Sequence, residues 1–155
     1  MASKKQVNNK GFSLVELIVV VLIMSIIAVS LAPQVMKWVN NARIAVDRQT
    51  ADSVVSIARL ALTDQKAYSA VTGTGGSEYT LTVNNSGCTI KRGTEAPGAG
   101  DAFVAAFCSN IGVTTANSIS DIRMKSSDTE IVVTVATSGL VTTNAEAVLT
   151  SPDLD

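Results

Sequence analysis

Residues 10–17 read KGFSLVEL and lead directly into an apolar run that ends at Ala32. The segment from Phe12 to Ala32 has 21 residues, and Glu16 is its only ionisable side chain. A helix rises about 1.5 Å per residue, so a segment of this length matches a hydrocarbon core roughly 30 Å thick. The sequence therefore predicts a membrane-spanning helix with one carboxylate near its start.

The carboxylate of Glu16 needs an explanation. An ionised side chain inside a lipid-facing helix costs at least about 2.5 kcal/mol, and such groups normally have a partner. Glu16 lies close to the start of the span, so one interpretation is that it stays solvated at the headgroup boundary. The other is that the positive end of a second chain neutralises it when helices pack together.

The segment Gly11–Glu16, with a short lysine-rich leader before it and an apolar run after it, resembles the prepilin signature of type IV pilins and pseudopilins. The resemblance covers roughly residues 1–66. It implies that a prepilin peptidase cleaves between Gly11 and Phe12 and that the new Phe12 amine is methylated. It also implies that the apolar helices pack into a filament core, where Glu16 meets the Phe12 amine of a neighbouring subunit.

The charges before the span indicate its orientation. The leader, residues 1–11, contains Lys4, Lys5 and Lys10 and no acid, which leaves nine basic and 13 acidic side chains in the rest of the chain. Lysine before a span favours a cytoplasmic leader and a C-terminal region outside. A secretory signal is cleaved after its apolar run, whereas the Gly11–Phe12 junction precedes the run, so we expect the span to be kept.

Pro33 follows the apolar run and matches a proline that pilins commonly carry there. Proline removes an amide donor and crowds the carbonyl four residues earlier, so we expect a local kink; the resemblance implies, further, that the helix melts here when subunits pack. Beyond it, apolar spacings of three and four residues predict an amphipathic helix to about Lys66, with Asp47 on its polar side. The apolar stripe consists of Val35, Val39, Ala42, Val46, Thr50, Val54, Ile57 and Ala61.

The next part of the chain predicts a linker and a hairpin. Residues 73–76 read GTGG, which ends the helical region with a flexible connection. Residues 79–83 alternate with period two, residues 84–87 form a turn, and residues 88–91 return. This pattern indicates a β-hairpin.

The remaining residues predict a short helix and a meander of strands. Asp101 is suited to cap a helix over residues 102–110. Strands are predicted over residues 121–125, 130–137 and 140–143. The second of these begins with the most β-branched run in the chain, so we expect it to be the central strand, with one face of the sheet packed on the amphipathic helix.

Cys88 and Cys108 are the two cysteines, and both fall in the region expected to face outside. In an oxidising compartment such a pair often forms a disulfide, which would stabilise the fold by roughly 3 kcal/mol for a loop of this length. Cysteine is also a common buried apolar residue, so both interpretations stay open. The pair departs from the family pattern, in which a disulfide usually closes a loop at the C-terminal edge.

Catalysis and metal binding have little support in the sequence. The chain contains no histidine, so the commonest general base and metal ligand is missing, and two cysteines alone do not make a zinc site. Acidic side chains could bind calcium if the fold gathered them, but a solvated acidic surface is the favoured interpretation. The candidates are Asp121, Asp128, Glu130, Asp153 and Asp155. We expect no enzyme activity, no metal and no cofactor.

The predicted fold class is α+β, with a long N-terminal helix packed against a small antiparallel sheet, as in type IV pilins. The predicted organisation is a cleaved cytoplasmic leader at residues 1–11, a transmembrane and filament-core helix at 12–33, an amphipathic half at 34–66, and a globular head at 67–155.

The expected function is that of a structural subunit of a type IV pilus, held in the membrane before assembly and then part of an extracellular filament for adhesion or twitching motility. The expected partners are copies of itself, the prepilin peptidase, the membrane with its pilus assembly machinery, and minor pilins. No specific nucleic acid is expected, because basic residues are dispersed over an acidic chain. The alternatives are a pseudopilin of a type II secretion or DNA-uptake system and, in another class, a single-pass anchored binding domain.

Overall fold

The computed structural model describes residues 13–114, 118–126 and 130–149. The chain divides into two compact units, Met1–Trp38 and Val39–Asp155. The first helix, α1, covers Leu14–Ala61. The predicted fold class is confirmed, because a long N-terminal helix is followed by a small five-stranded antiparallel sheet in a pilin-like α+β arrangement.

Within the second unit, α1 buries one side against the core. Its buried residues are Ile44, Asp47, Ala51, Val54, Val55, Ala58 and Ala61. Their spacing confirms an amphipathic helix. However, the predicted stripe was wrong at its first turns, because Val46 is 43% exposed while Asp47 is fully buried. The partners of Asp47 lie in a distant loop, and helical periodicity carries no information about such a contact.

The first helix ends at Ala61, earlier than the predicted end near Lys66. The Asp64 N–H donates to the Ala61 carbonyl at 3.2 Å, which tightens the last turn. The Asp64 carboxylate then accepts hydrogen bonds from the N–H groups of Lys66 and Ala67, at 2.8 and 3.1 Å. Asp64 therefore caps a second helix, α2, which covers Gln65–Thr72.

The sheet contains β1 (Tyr79–Val83), β2 (Cys88–Arg92), β3 (Ser118–Ile119), β4 (Ile131–Val135) and β5 (Val141–Thr143). The strand order is β3-β2-β1-β4-β5, with every neighbouring pair antiparallel. The predicted hairpin is confirmed. The prediction that β4 is central was wrong, since β1 holds that place and pairs along its whole length with both β2 and β4. A β-branched run indicates that a strand fits a pleated, half-buried surface, but it does not indicate where in the sheet the strand lies.

The two faces of the sheet differ in chemistry because side chains alternate along each strand. The inward residues are apolar, among them Tyr79, Leu81, Val83, Ile90 and Val133, all 0% exposed. The outward residues are partly exposed and mostly carry hydroxyl groups: Thr80, Thr82, Thr89, Val132 and Thr134. The core therefore lies on one side of the sheet, between the inward side chains and the helices.

The short helix α3 covers Ala102–Asn110, as predicted. Its cap is also confirmed, because the Asp101 carboxylate accepts hydrogen bonds from the N–H groups of Phe103 and Val104, at 3.1 and 3.2 Å. A last short helix, α4, covers Ala145–Val148 and was not predicted.

The predicted strand over residues 121–125 was wrong, since the structure has bends there and places β3 just before them. The backbone donors of this segment are used elsewhere. The Met124 N–H donates to the Asn84 carbonyl at 2.9 Å, and the next two N–H groups donate to the Asp47 carboxylate. With these amides taken by other partners, no ladder with a neighbouring strand forms.

Candidate processing and assembly segment

Gly11 and Phe12, the predicted cleavage and methylation site, lie outside the described residues. Ser13 is the first described residue, and its carbonyl accepts the Leu17 N–H at 3.2 Å in the first turn of α1. The roles assigned to Gly11 and Phe12 stay predictions.

Glu16 lies in the first turn of α1. A carboxylate at a helix N-terminus is stabilised by the partial positive charge of the free N–H groups there. Between Ser13 and Met36 no other side chain is ionisable. Glu16 is therefore the single ionisable side chain at the start of this helical segment, and its pairing with an amine stays a prediction.

The segment that follows Glu16 is unusual because its apolar side chains are exposed. Every residue from Ser13 to Asn40 is exposed in the isolated chain. The exposed fractions include 58% for Leu22, 72% for Ile26 and 59% for Trp38. Exposed apolar surface of this extent marks a membrane or protein contact.

The length and hydropathy of α1 meet the requirements of a membrane span. Among the described residues, α1 is the one helix that is long and apolar enough to cross a membrane. Its most apolar window of 18 residues has a mean hydropathy of 2.9. None of that window is buried inside the chain, so the window is unlike the core helix of a soluble protein. The helix is suited to membrane anchoring.

Two serines of this segment bond to their own helix. The Ser25 hydroxyl donates to the Val21 carbonyl at 2.7 Å, and the Ser30 hydroxyl donates to the Ile27 carbonyl at 2.9 Å. These serines therefore interrupt the apolar run without breaking the helix. Pro33 lies inside α1; the kink and the melting of the helix at this point stay predictions.

Asp47, in α1, is a buried residue whose role the sequence did not reveal. Its carboxylate is 0% exposed and accepts hydrogen bonds from the backbone N–H groups of Lys125 and Ser126, at 2.6 and 2.9 Å. These two hydrogen bonds hold the segment that contains Lys125 and Ser126 in place, because loss of the carboxylate would leave buried backbone N–H groups without an acceptor. Asp47 thus fastens the loop after β3 to α1.

We expect Asp47→Ala to lower the free energy of unfolding by about 3 kcal/mol, because two backbone donors lose a charged acceptor. The melting temperature of the full chain in detergent, followed by circular dichroism, should fall by about 10 °C. Asp52→Ala is the matched control, since Asp52 is an exposed acid on the same helix. Equal melting temperatures for the two variants would contradict the role of Asp47.

A second buried polar contact fixes the start of α3. The Tyr79 hydroxyl donates to the Asp101 carboxylate at 2.7 Å, and the Arg92 guanidinium lies 3.7 Å from the same carboxylate. Burial, and then the bond to Asp101, raise the pKa of the Tyr79 hydroxyl well above its ordinary value. Tyr79 therefore stays a neutral donor that joins β1 to the cap of α3.

Cys88 and Cys108 are both fully buried, and both are thiols in the structure. Burial, with a smaller effect of the nearby Cys108, raises the pKa of the Cys88 thiol to about 12. The structure thus brings the two predicted residues into electrostatic range of each other. Their disulfide stays a prediction.

The described residues contain no group of three or more histidine, cysteine or acidic side chains that could hold a metal ion. Of the weighed calcium ligands, Asp121 and Glu130 are described and exposed, whereas Asp128, Asp153 and Asp155 lie outside the described residues.

Comparison with known proteins supplies the class of this segment. The profile of the prokaryotic N-terminal methylation motif matches residues 7–32. This match confirms the predicted resemblance: the chain carries the leader signature of type IV prepilin-like proteins, and the long helix α1 fits that signature. A search of curated proteins gave no significant match, and neither did a search of solved structures.

The motif and the fold together support a type IV pilin or pseudopilin, which are structural subunits and not enzymes. The motif further implies processing by a prepilin peptidase and assembly into pilus-like polymers.

Proposed function

We propose that this protein is a structural subunit of a type IV pilus. After removal of residues 1–11 it waits in the membrane with its head outside, and it then polymerises through the first part of α1 into a surface filament used for adhesion or twitching motility. The observation that carries the proposal is Glu16, a single charge at the start of an exposed apolar helix within the methylation motif.

The energetics support storage in lipid followed by polymerisation. Most side chains from Leu14 to Val39 are apolar and exposed in the isolated chain, and contact of so much apolar surface with water is unfavourable. The segment therefore needs either acyl chains or the same segment of other subunits around it. Transfer from lipid to a packed helical core replaces one apolar environment with another. What favours the polymer is then helix packing and the pairing of Glu16 with an amine, which is worth more in a low dielectric than in water.

A pseudopilin would share the motif, Glu16 and Pro33, so only the behaviour of the assembled protein separates the two functions. The partly exposed, threonine-rich face of the sheet favours a pilin, whose head lies on the surface of a long filament. A single-pass anchored binding domain would have no use for a charge at Glu16 or for a cleavable Gly11–Phe12 junction.

The decisive experiment is isolation of filaments sheared from cells, with electron microscopy and mass spectrometry of the same fraction. We expect filaments that contain this chain, beginning at a methylated Phe12. Filaments seen only when a secretion system is overproduced would indicate a pseudopilin. A chain that stays uncut and never enters a filament would overturn both functions and favour the anchored binding domain.

A further inference from the structure

The head contains two buried thiols that filament formation does not use. Cys88 is the first residue of β2, and Cys108 lies in the last turn of α3. Both side chains are 0% exposed. The path of α3 over the sheet determines whether the two sulfur atoms can meet.

The helix α3 starts at the end of the sheet that is remote from Cys88. Its capping residue, Asp101, accepts the Tyr79 hydroxyl at 2.7 Å and lies 3.7 Å from the Arg92 guanidinium. Tyr79 and Arg92 are direct partners in the β1–β2 register. The Phe103 ring, in the first turn of α3, lies 4.5 Å from the Tyr79 ring between centroids.

From this common end, the helix and the strand cover similar distances. The seven residues from Asp101 to Cys108 rise about 10 Å in a helix, and the four residues from Arg92 back to Cys88 span about 13 Å in a strand. Phe103 and Phe107 are both fully buried, so one side of α3 stays against the core along its length. Because both cysteines are buried in the same core, this geometry places the two thiols near each other at the far end. The smaller effect of Cys108 on the pKa of Cys88 agrees with this placement.

We propose that Cys88 and Cys108 are joined by a disulfide in the mature head, and that this bond forms before the core closes over the two sulfur atoms. The proposal rests on the outward orientation of the head in the proposed function, since thiols stay reduced in the cytoplasm. The bond would tie the end of α3 to the start of β2, whereas Asp101 already ties the opposite end.

The reaction is thiol–disulfide exchange with an envelope oxidoreductase that carries a disulfide. The thiolate of one cysteine attacks the disulfide of the oxidant and releases one of its sulfurs as a thiolate. The second cysteine then attacks the mixed disulfide, which forms the Cys88–Cys108 bond and releases the second sulfur. The two protein thiols lose two protons and two electrons, and the disulfide of the oxidant becomes a dithiol.

The order of oxidation and folding follows from burial. In the closed head neither sulfur is accessible, and the Cys88 thiol is almost entirely protonated at neutral pH, because its pKa is raised to about 12. Exchange requires an accessible thiolate. The oxidant therefore has to act on the translocated chain while the head is still open, and a head that closes first keeps its thiols.

The test uses the full chain in membranes of the producing cell, before filament assembly. The membranes are denatured and treated with a maleimide reagent of large mass, with and without prior reduction. We expect no labelled thiol without reduction and two labelled thiols after it. The variants Cys88→Ser and Cys108→Ser should each show one labelled thiol without reduction, and their melting temperatures should fall by roughly 10 °C.

Two labelled thiols without reduction, in a chain that has lost its leader, would overturn the disulfide. This outcome is independent of the pilus proposal, because filament yield is scored separately by electron microscopy. Oxidised cysteines in a cell without filaments would leave the disulfide intact and count against the pilus alone.

A second experiment tests the proposed order of oxidation and folding. The chain is folded in the presence of a reductant, and a disulfide oxidant is then added in buffer or in denaturant. We expect the Cys88–Cys108 bond to form at least about tenfold faster in denaturant than in buffer, and equal rates would overturn the order.

Discussion

Glu16→Ala is expected to leave membrane insertion intact and to reduce filament yield by about tenfold or more. Removal of the carboxylate makes the helix more apolar, so insertion has no reason to fail. Each subunit that joins the filament, however, loses a charge-assisted bond worth about 1.5–3 kcal/mol, which is roughly a ten- to hundredfold change in the equilibrium constant of addition. The measurement is the amount of chain in sheared filaments, relative to the amount in membranes.

The matched controls for this variant change the side chain in two ways. Glu16→Gln keeps the size and removes the charge, so it should lose filaments almost as completely as Glu16→Ala. Ser25→Ala changes a polar residue of the same segment whose hydroxyl bonds only to its own helix, so it should assemble normally. Normal filament yield in Glu16→Gln would show that Glu16 has no charged partner, and that it stays solvated at the membrane boundary instead.

Gly11→Val is expected to abolish removal of the leader. The resemblance implies cleavage after Gly11, and a β-branched side chain restricts the backbone and crowds the bond to be cut. Mass spectrometry of the membrane fraction should find the chain with residues 1–11 still attached and no methylated Phe12. Filaments should be absent as well, because the Phe12 amine that is proposed to meet Glu16 then does not exist.

A control outside the junction keeps this result specific. Asn8→Ala changes the leader without altering Gly11 or Phe12, and it should be cleaved normally. A Gly11→Val chain that is trimmed at Phe12 would contradict the assigned junction. A chain that is uncut yet found in filaments would contradict the requirement for a free Phe12 amine.

The elements predicted best from the sequence are those with local causes. Both ends of α3 were predicted correctly, because Asp101 caps the helix and the residues on either side of it, 97–100 and Gly112, favour turns. The β1–β2 hairpin was predicted because alternation on both sides of Asn84–Gly87 fixes a short turn. The motif around Gly11 and Glu16 was also recognisable, since its residues are contiguous.

The features that were missed depend on contacts between distant residues. Asp47 was expected on the polar side of α1, but the amides of Lys125 and Ser126 supply its bonds from 78 and 79 residues away. The same contact removed the strand predicted over residues 121–125. An aspartate in a helical pattern indicates exposure on average, and only the folded chain shows which acid is the exception.

The serines of the apolar segment have one more consequence. The hydroxyl groups of Ser25 and Ser30 each donate a hydrogen bond to a carbonyl of the preceding turn. Neither donor therefore needs a hydrogen bond to water or to a neighbouring molecule. Entry into lipid and departure from it then require no exchange of hydrogen bonds at these positions. Under the proposed function, the helix therefore passes from lipid into a filament core with these internal hydrogen bonds unchanged.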